Sequence, residues 1–171
     1  MTGILQIYAD GSFDAASQSG GWAFVVMDSD GSIQISVGTA FGCSNSNNTL
    51  EVLSVVKAAS WLEAGAPPSA AVVWTDSAHV VDGCNRWRLI WRGNGWKRVR
   101  ANPHERRRPI PDVKLWRELD ALMDRNPHLR VELCKGHSGN QGNEHADKAA
   151  RQACAALIRQ QVVSRNASEP S

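Results

Sequence analysis

A chain of 171 residues with 42% hydrophobic and 21% charged residues holds enough material for one domain with a proper core and too little for two of ordinary size. No apolar run approaches the roughly 18 residues of a membrane span, and no basic segment followed by an apolar one opens the chain. No membrane partner is therefore expected, and a cytoplasmic protein is, or a nuclear one in a eukaryote. The net charge of +2 hides an asymmetry: nine of the 19 lysines and arginines lie between Arg86 and Arg108, against the single acid Glu105, which points to a polyanionic partner.

In chain order, Ile4 to Asp10 reads as a strand closed by the turn-forming pair Gly11-Ser12. Trp22 to Asp28 is a second, and Ser32 to Ala40 a third in which Ile33, Ile35 and Val37 alternate. After the caps offered by "CSNSNN", Leu50, Val52, Leu53, Val56, Ala59 and Leu62 are spaced as one face of a helix ending near Gly65. Ala70 to Thr75 is continuously apolar, as suits a strand covered on both faces, and a helix begins at Asp76-Ser77. Pro111-Asp112 opens a further helix that Asn126-Pro127 closes; Leu129 to Cys134 alternates as a strand; a Gly-rich loop leads into a last helix from about Asn143 to Gln161. Three adjacent strands followed by strand–helix alternation predict an α/β fold, a five-stranded mixed sheet with helices on both faces. Residues 1–160 are read as one domain with a basic protrusion over about 86–110, and 161–171 as a disordered tail.

Four acids stand near element ends. Asp10 follows an apolar strand, Asp76 lies just beyond "AVVWT", and Glu51 and Asp147 fall in the early turns of their helices. Each has a structural alternative: Asp10 as a turn opener, Glu51 with Asn48 as a capping box, Asp76 as a helix cap, and Asp147 as a complement to a helix dipole. The cysteines Cys43, Cys84, Cys134 and Cys154 form no C-x-x-C pair and have no histidine at zinc-like spacing, so reduced, mostly buried thiols are expected.

"IYADGS", "SNNTLEV", "WTDSAHVV" and "KGHSGNQGNEHADKAA" resemble, in order and spacing, the motifs of type 1 ribonuclease H, over about residues 4 to 157. The resemblance implies that Asp10, Glu51, Asp76 and Asp147 form the family's metal-binding carboxylates and that His137 is its mobile catalytic histidine. It implies an endonuclease hydrolysing the RNA strand of an RNA–DNA hybrid to 3′-hydroxyl and 5′-phosphate ends. The chemistry agrees: converging carboxylates repel unless cations neutralise them, two divalent ions about 4 Å apart would do so, and all-oxygen ligands favour Mg²⁺ or Mn²⁺.

The segment "NRWRLIWRGNGWKRVR" resembles the family's basic protrusion, which grips the DNA strand. Trp87, Arg88, Trp91, Arg92, Trp96, Lys97 and Arg98 are its candidate contacts, with core packing an alternative for Trp87 and Trp91; Arg106 to Arg108 extend the grip. Ser12, Asn47 and Asn48 are candidates for reading the 2′-hydroxyls, and both asparagines could equally cap a helix. The chain departs from the family's pattern at Ala15, Ala16 and Ser17 in the turn after the first strand, at Ala78, where a glutamine is usual, and at Thr49, which replaces a longer side chain. A monomer without a small-molecule cofactor is expected. The competing readings are a catalytically weak hybrid-binding relic of a retroelement and a DNA-directed nuclease or recombinase of the same fold.

Overall fold

The computed structural model describes residues 4–28, 32–42, 46–65, 70–99, 104–135 and 139–167. Strands β1 (Leu5–Asp14), β2 (Ser19–Met27) and β3 (Ile33–Phe41) form an antiparallel meander, after which helix α1 (Asn47–Gly65) crosses to β4 (Ala71–Thr75). Helix α2 (Ala78–Asp82) runs through a π-helical segment (Gly83–Trp87) into α3 (Arg88–Gly93), and α4 (Val113–Arg125), β5 (Leu129–Leu133) and α5 (Gln141–Ala167) complete the order. The sheet runs β3-β2-β1-β4-β5, with β4 parallel to β1 and β5 parallel to β4. This is the expected five-stranded mixed α/β sheet.

The pleat assigns the two faces. Ile7 and Ala9 of β1, with Phe24 and Val26 of β2, join Val52, Val55, Val56 and Ala59 of α1 in the main core. The alternate residues meet α5, where Ala23 packs on Ala149 and Ala150. That helix lies so close that a Cβ at Gly21 would fall 2.1 Å from the Ala150 carbonyl oxygen and 2.5 Å from the Cys154 nitrogen. On edge strand β3 the alternation of Ile33, Ile35 and Val37 is real, but these side chains are exposed. Cys84, Cys134 and Cys154 are buried free thiols, as expected; Cys43 lies outside the described residues.

Several boundaries differ from the sequence reading. Strand β1 does not stop at Asp10: Asp10 pairs with Ala23 and Gly11 with Trp22, and the ladder continues to Asp14. The turn comes later, at Ala15–Gln18, where the Asp14 carboxylate accepts the Ser17 N–H at 2.8 Å and Gln18 takes φ 54°. Helix α1 is not capped by an Asn48–Glu51 pair. Ser46 and Thr49 form the reciprocal box instead, Thr49 N–H donating to Ser46 Oγ and Ser46 N–H to Thr49 Oγ1, each at 3.1 Å. Ser77, not Asp76, caps α2. Helix α5 begins at Gln141 and continues to Ala167, so residues 161–167 are helical rather than a disordered tail; they carry a helix already anchored on β2.

Gly21→Ala forces backbone against backbone and is expected to cost about 3 kcal/mol, read as a lower urea midpoint with an unchanged m-value.

Candidate active site

Strands β1 and β4 pair from Leu5↔Ala71 to Tyr8↔Trp74, and two residues further along each stand Asp10 and Asp76. They stand just past the carboxyl end of the parallel β1–β4 ladder, although β1 itself runs on to Asp14, and it is at such ladder ends that open α/β sheets gather ligands. Glu51 arrives from α1. A Cβ at Gly11 would lie 2.4 Å from the Leu50 carbonyl carbon and 2.5 Å from the Glu51 nitrogen, so only glycine at position 11 lets the helix start sit on the strand. One carboxylate oxygen from each of Asp10, Glu51 and Asp76 lies within 4.8 Å of the other two.

Asp10 and Glu51 are 5% and 6% exposed, and Asp76 is more open. Burial pushes the Asp10 carboxyl well above its ordinary range, and the charges of Asp76 and Asp147 push it further, against the Gly11 N–H that donates to Asp10 Oδ1 at 2.7 Å. Burial does the same to Glu51, followed by the charges of Asp10 and Asp76. Asn47 Nδ2 donates to Glu51 Oε1 at 3.3 Å, while Glu51 Oε2 is buried with no partner among the described residues. A buried carboxylate oxygen without a donor, flanked by two further acids, is a donor set suited to a hard divalent cation. Asp10, Glu51 and Asp76 are the residues that could hold one.

Asp147 stands on α5, on the face toward which Asp10 points, near enough for its charge to act on Asp10. It is outside the group of three, and its Oδ1 is ion-paired with Arg151 Nε at 2.7 Å. His137 lies outside the described residues. Ser12 continues β1 two residues past Asp10, and Asn48 is exposed in the first turn of α1.

The protrusion differs from its sequence reading in three side chains. Arg88 and Arg92 are not free for phosphates. Arg88 Nη1 donates to Asp120 Oδ1 at 2.7 Å and to Asp124 Oδ1 at 3.1 Å, and Arg92 Nε donates to Asp120 Oδ2 at 2.8 Å. Asp120 and Asp124, four apart on α4, neutralise in space what is basic in sequence. Trp96 is no surface contact either: it is 8% exposed and belongs to the core.

Trp87 and Trp91 stack with centroids 6.4 Å apart, and with His79, Arg98, Ile110 and Trp116 they line a cavity of about 370 Å³. His79 stands edge-on to Trp116 there, with ring centroids 5.6 Å apart. Lys97 and Arg98 lie on a hairpin closed by the Lys97↔Pro109 bridge and the Arg98 N–H to Arg108 carbonyl bond of 2.9 Å, and Lys97 with Arg106 to Arg108 surrounds a basic recess.

The RNase H family model matches residues 3–155. The chain belongs to the RNase H family. It is 34% identical over 151 residues to the Ribonuclease H of Thermosynechococcus vestitus, covering 88% of this chain and 89% of the relative. It is 35% identical over 149 residues to that of a Jannaschia species, covering 86% and 88%. Among solved structures, LC9-RNase H1, described as a type 1 RNase H with the type 2 active-site motif, superposes with TM-score 0.72 at 25% identity over 91% of this chain and 74% of the other. The PFV RNase H domain, at TM-score 0.70 and 21% identity over 90% and 97%, shares the fold. Membership of the RNase H family carries ribonuclease H enzyme activity with it.

Because the native carboxyls of Asp10 and Glu51 titrate above their unfolded values, the native state retains protons that the unfolded chain releases. Without divalent cations, their contribution to stability is therefore fully present below the ordinary carboxylate range near pH 4 and falls as pH rises toward and past neutrality. At pH 8, Glu51→Gln is expected to raise metal-free stability by roughly 1–2 kcal/mol and to shrink the gain in Tm on adding Mg²⁺, both read by thermal unfolding with and without chelator.

Proposed function

We propose that this chain is a divalent-metal-dependent endonuclease that hydrolyses the RNA strand of RNA–DNA hybrids, leaving 3′-hydroxyl and 5′-phosphate ends. The observation that carries the reading is the convergence of Asp10, Glu51 and Asp76, with a buried Glu51 oxygen left unpartnered. Asp10, Glu51, Asp76 and Asp147 would hold two Mg²⁺ or Mn²⁺ ions, Asp147 by exchanging its Arg151 partner. Bound there, the ions supply Lewis acidity and charge neutralisation at the scissile phosphate.

The protein's own groups do the rest. The burial of Asp10 and Glu51 keeps the charge of the site strong by excluding water around it. His137 is assigned proton delivery or product release, in keeping with the neighbouring Gly139. Ser12, Asn47 and Asn48 read the 2′-hydroxyls on the approach to the carboxylates. On the other strand, the stacked Trp87 and Trp91 offer an apolar platform, and Lys97, Arg98 and Arg106 to Arg108 neutralise phosphates. The enzyme acts as a monomer and needs no organic cofactor.

With labelled hybrid, double-stranded RNA and double-stranded DNA under Mg²⁺, cleavage of hybrid RNA alone is expected, and chelator abolishes it. Asp10→Asn lowers turnover by about a thousandfold or more while hybrid binding survives; near-normal turnover by that variant overturns the assignment. Replacing Arg106 and Arg108 by alanine flattens the slope of log affinity against log salt by about 1 for each phosphate no longer neutralised, measured by hybrid titration at several ionic strengths.

A further inference from the structure

Asp112 stands directly before α4, two residues beyond Ile110, whose N–H donates to the Trp96 carbonyl at the base of the basic hairpin. Two features of it are unfavourable in isolation. Its backbone is left-handed, φ 53° and ψ 30°, a conformation that costs every residue but glycine something, aspartate and asparagine less than most. Its side chain also makes no cap bond to α4, although aspartate in that place is a preferred cap.

The carboxylate is used elsewhere: Asp112 Oδ1 accepts the hydroxyl of Thr49 at 3.0 Å. Thr49 is 7% exposed and is the inner member of the box that starts α1, bonded at hydroxyl and amide to Ser46. Two residues on is Glu51, to which Asn47 of the same turn also donates. Asp112 thus joins the capping network of the carboxylate-bearing helix, and its negative charge lies where the amino termini of α1 and α4 meet, the favourable end of both dipoles.

We propose that Asp112 is a positioning residue: its bond to Thr49 fixes the base of the basic hairpin against the start of α1, so that phosphates held by the hairpin fall in register with the carboxylates. The inference rests on the proposed hybrid-cleaving function and adds to it a residue that touches neither substrate nor metal. Two substitutions separate the bond from the backbone. Asp112→Gly accepts the left-handed conformation and loses the carboxylate; Asp112→Asn tolerates the same conformation and retains an acceptor oxygen.

Asp112→Gly is expected to raise KM for hybrid about fivefold, the effect of one hydrogen bond of ordinary strength, with kcat within about twofold and the salt slope of binding unchanged. Asp112→Asn stays within about twofold of the parent in both constants. Thr49→Val raises KM similarly, and adding Asp112→Gly to it changes little more, as for two partners in one bond. A parental KM in Asp112→Gly, equal losses in the Gly and Asn variants, or multiplicative losses in the double variant overturns the proposal. If the parent does not cleave hybrid, the functional reading fails by itself. Hydrogen exchange at the Thr49 and Leu50 amides then decides the tie, faster in Asp112→Gly but not in Asp112→Asn if it exists, and the same in all three if it does not.

Discussion

Everything at the site follows from the contact between Gly11 and the start of α1. Without a side chain at position 11, the backbone at Leu50 and Glu51 settles onto β1, and the Glu51 carboxyl is delivered beside Asp10. The helix gains its apolar face by this approach, since Val52, Val55, Val56 and Ala59 enter the core with it. The same approach forces two acids into a space that water hardly reaches. Hydrophobic burial thus drives the molecule into an electrostatic arrangement that is unfavourable while nothing neutralises the acids. The raised proton affinities of Asp10 and Glu51 and the stranded Glu51 oxygen are two expressions of that one conflict.

The fold was legible because the periodicities were clean. Alternation gave β3 and β5, apolar spacing gave α1, and an unbroken apolar run gave the doubly covered β4. What could not be read locally was decided by neighbours distant in sequence. Asp10-Gly11 has the composition of a turn, yet Gly11 is small because Leu50 and Glu51 need its space, so the strand continues. Asn48 and Glu51 have the spacing of a capping box, yet Ser46 and Thr49, two residues earlier, form it and leave Glu51 for the cluster. Three of the four expected acids come together, and the fourth stands close by with an arginine on it. The order of the family motifs made the acids recognisable, while only the three-dimensional arrangement shows how deeply Asp10 and Glu51 are buried beside Asp76.

The protrusion shows the opposite failure, a signal that was too strong. Counted along the chain it is almost wholly cationic, but Asp120 and Asp124 arrive from α4 and bind Arg88 and Arg92. Those arginines are fasteners holding α3 against α4. The charge left for a polyanion is displaced outward to Lys97, Arg98 and Arg106 to Arg108, and Trp96 is anchored in the core beside Lys97. Linear charge counts overstate a surface wherever a later helix carries the counterions.

The π-helical turn at Gly83–Trp87 accounts for how one short helix serves both tasks. A turn closed by i→i+5 bonds takes up about one residue more than an α turn, so the residues after it face about 100° away from where unbroken α-helix would put them. Here that shift begins where Gly83 makes room for the indole of Trp116. Beyond it, Trp87 and Trp91 share one side, over the aromatic cavity, and Arg88 and Arg92 share the other, against the acids of α4. Wound as ordinary α-helix with every residue kept, that turn would swing both stripes about 100° round the helix axis, carrying the arginines away from their acids and the indoles out of the cavity, with no change in the amino acids themselves.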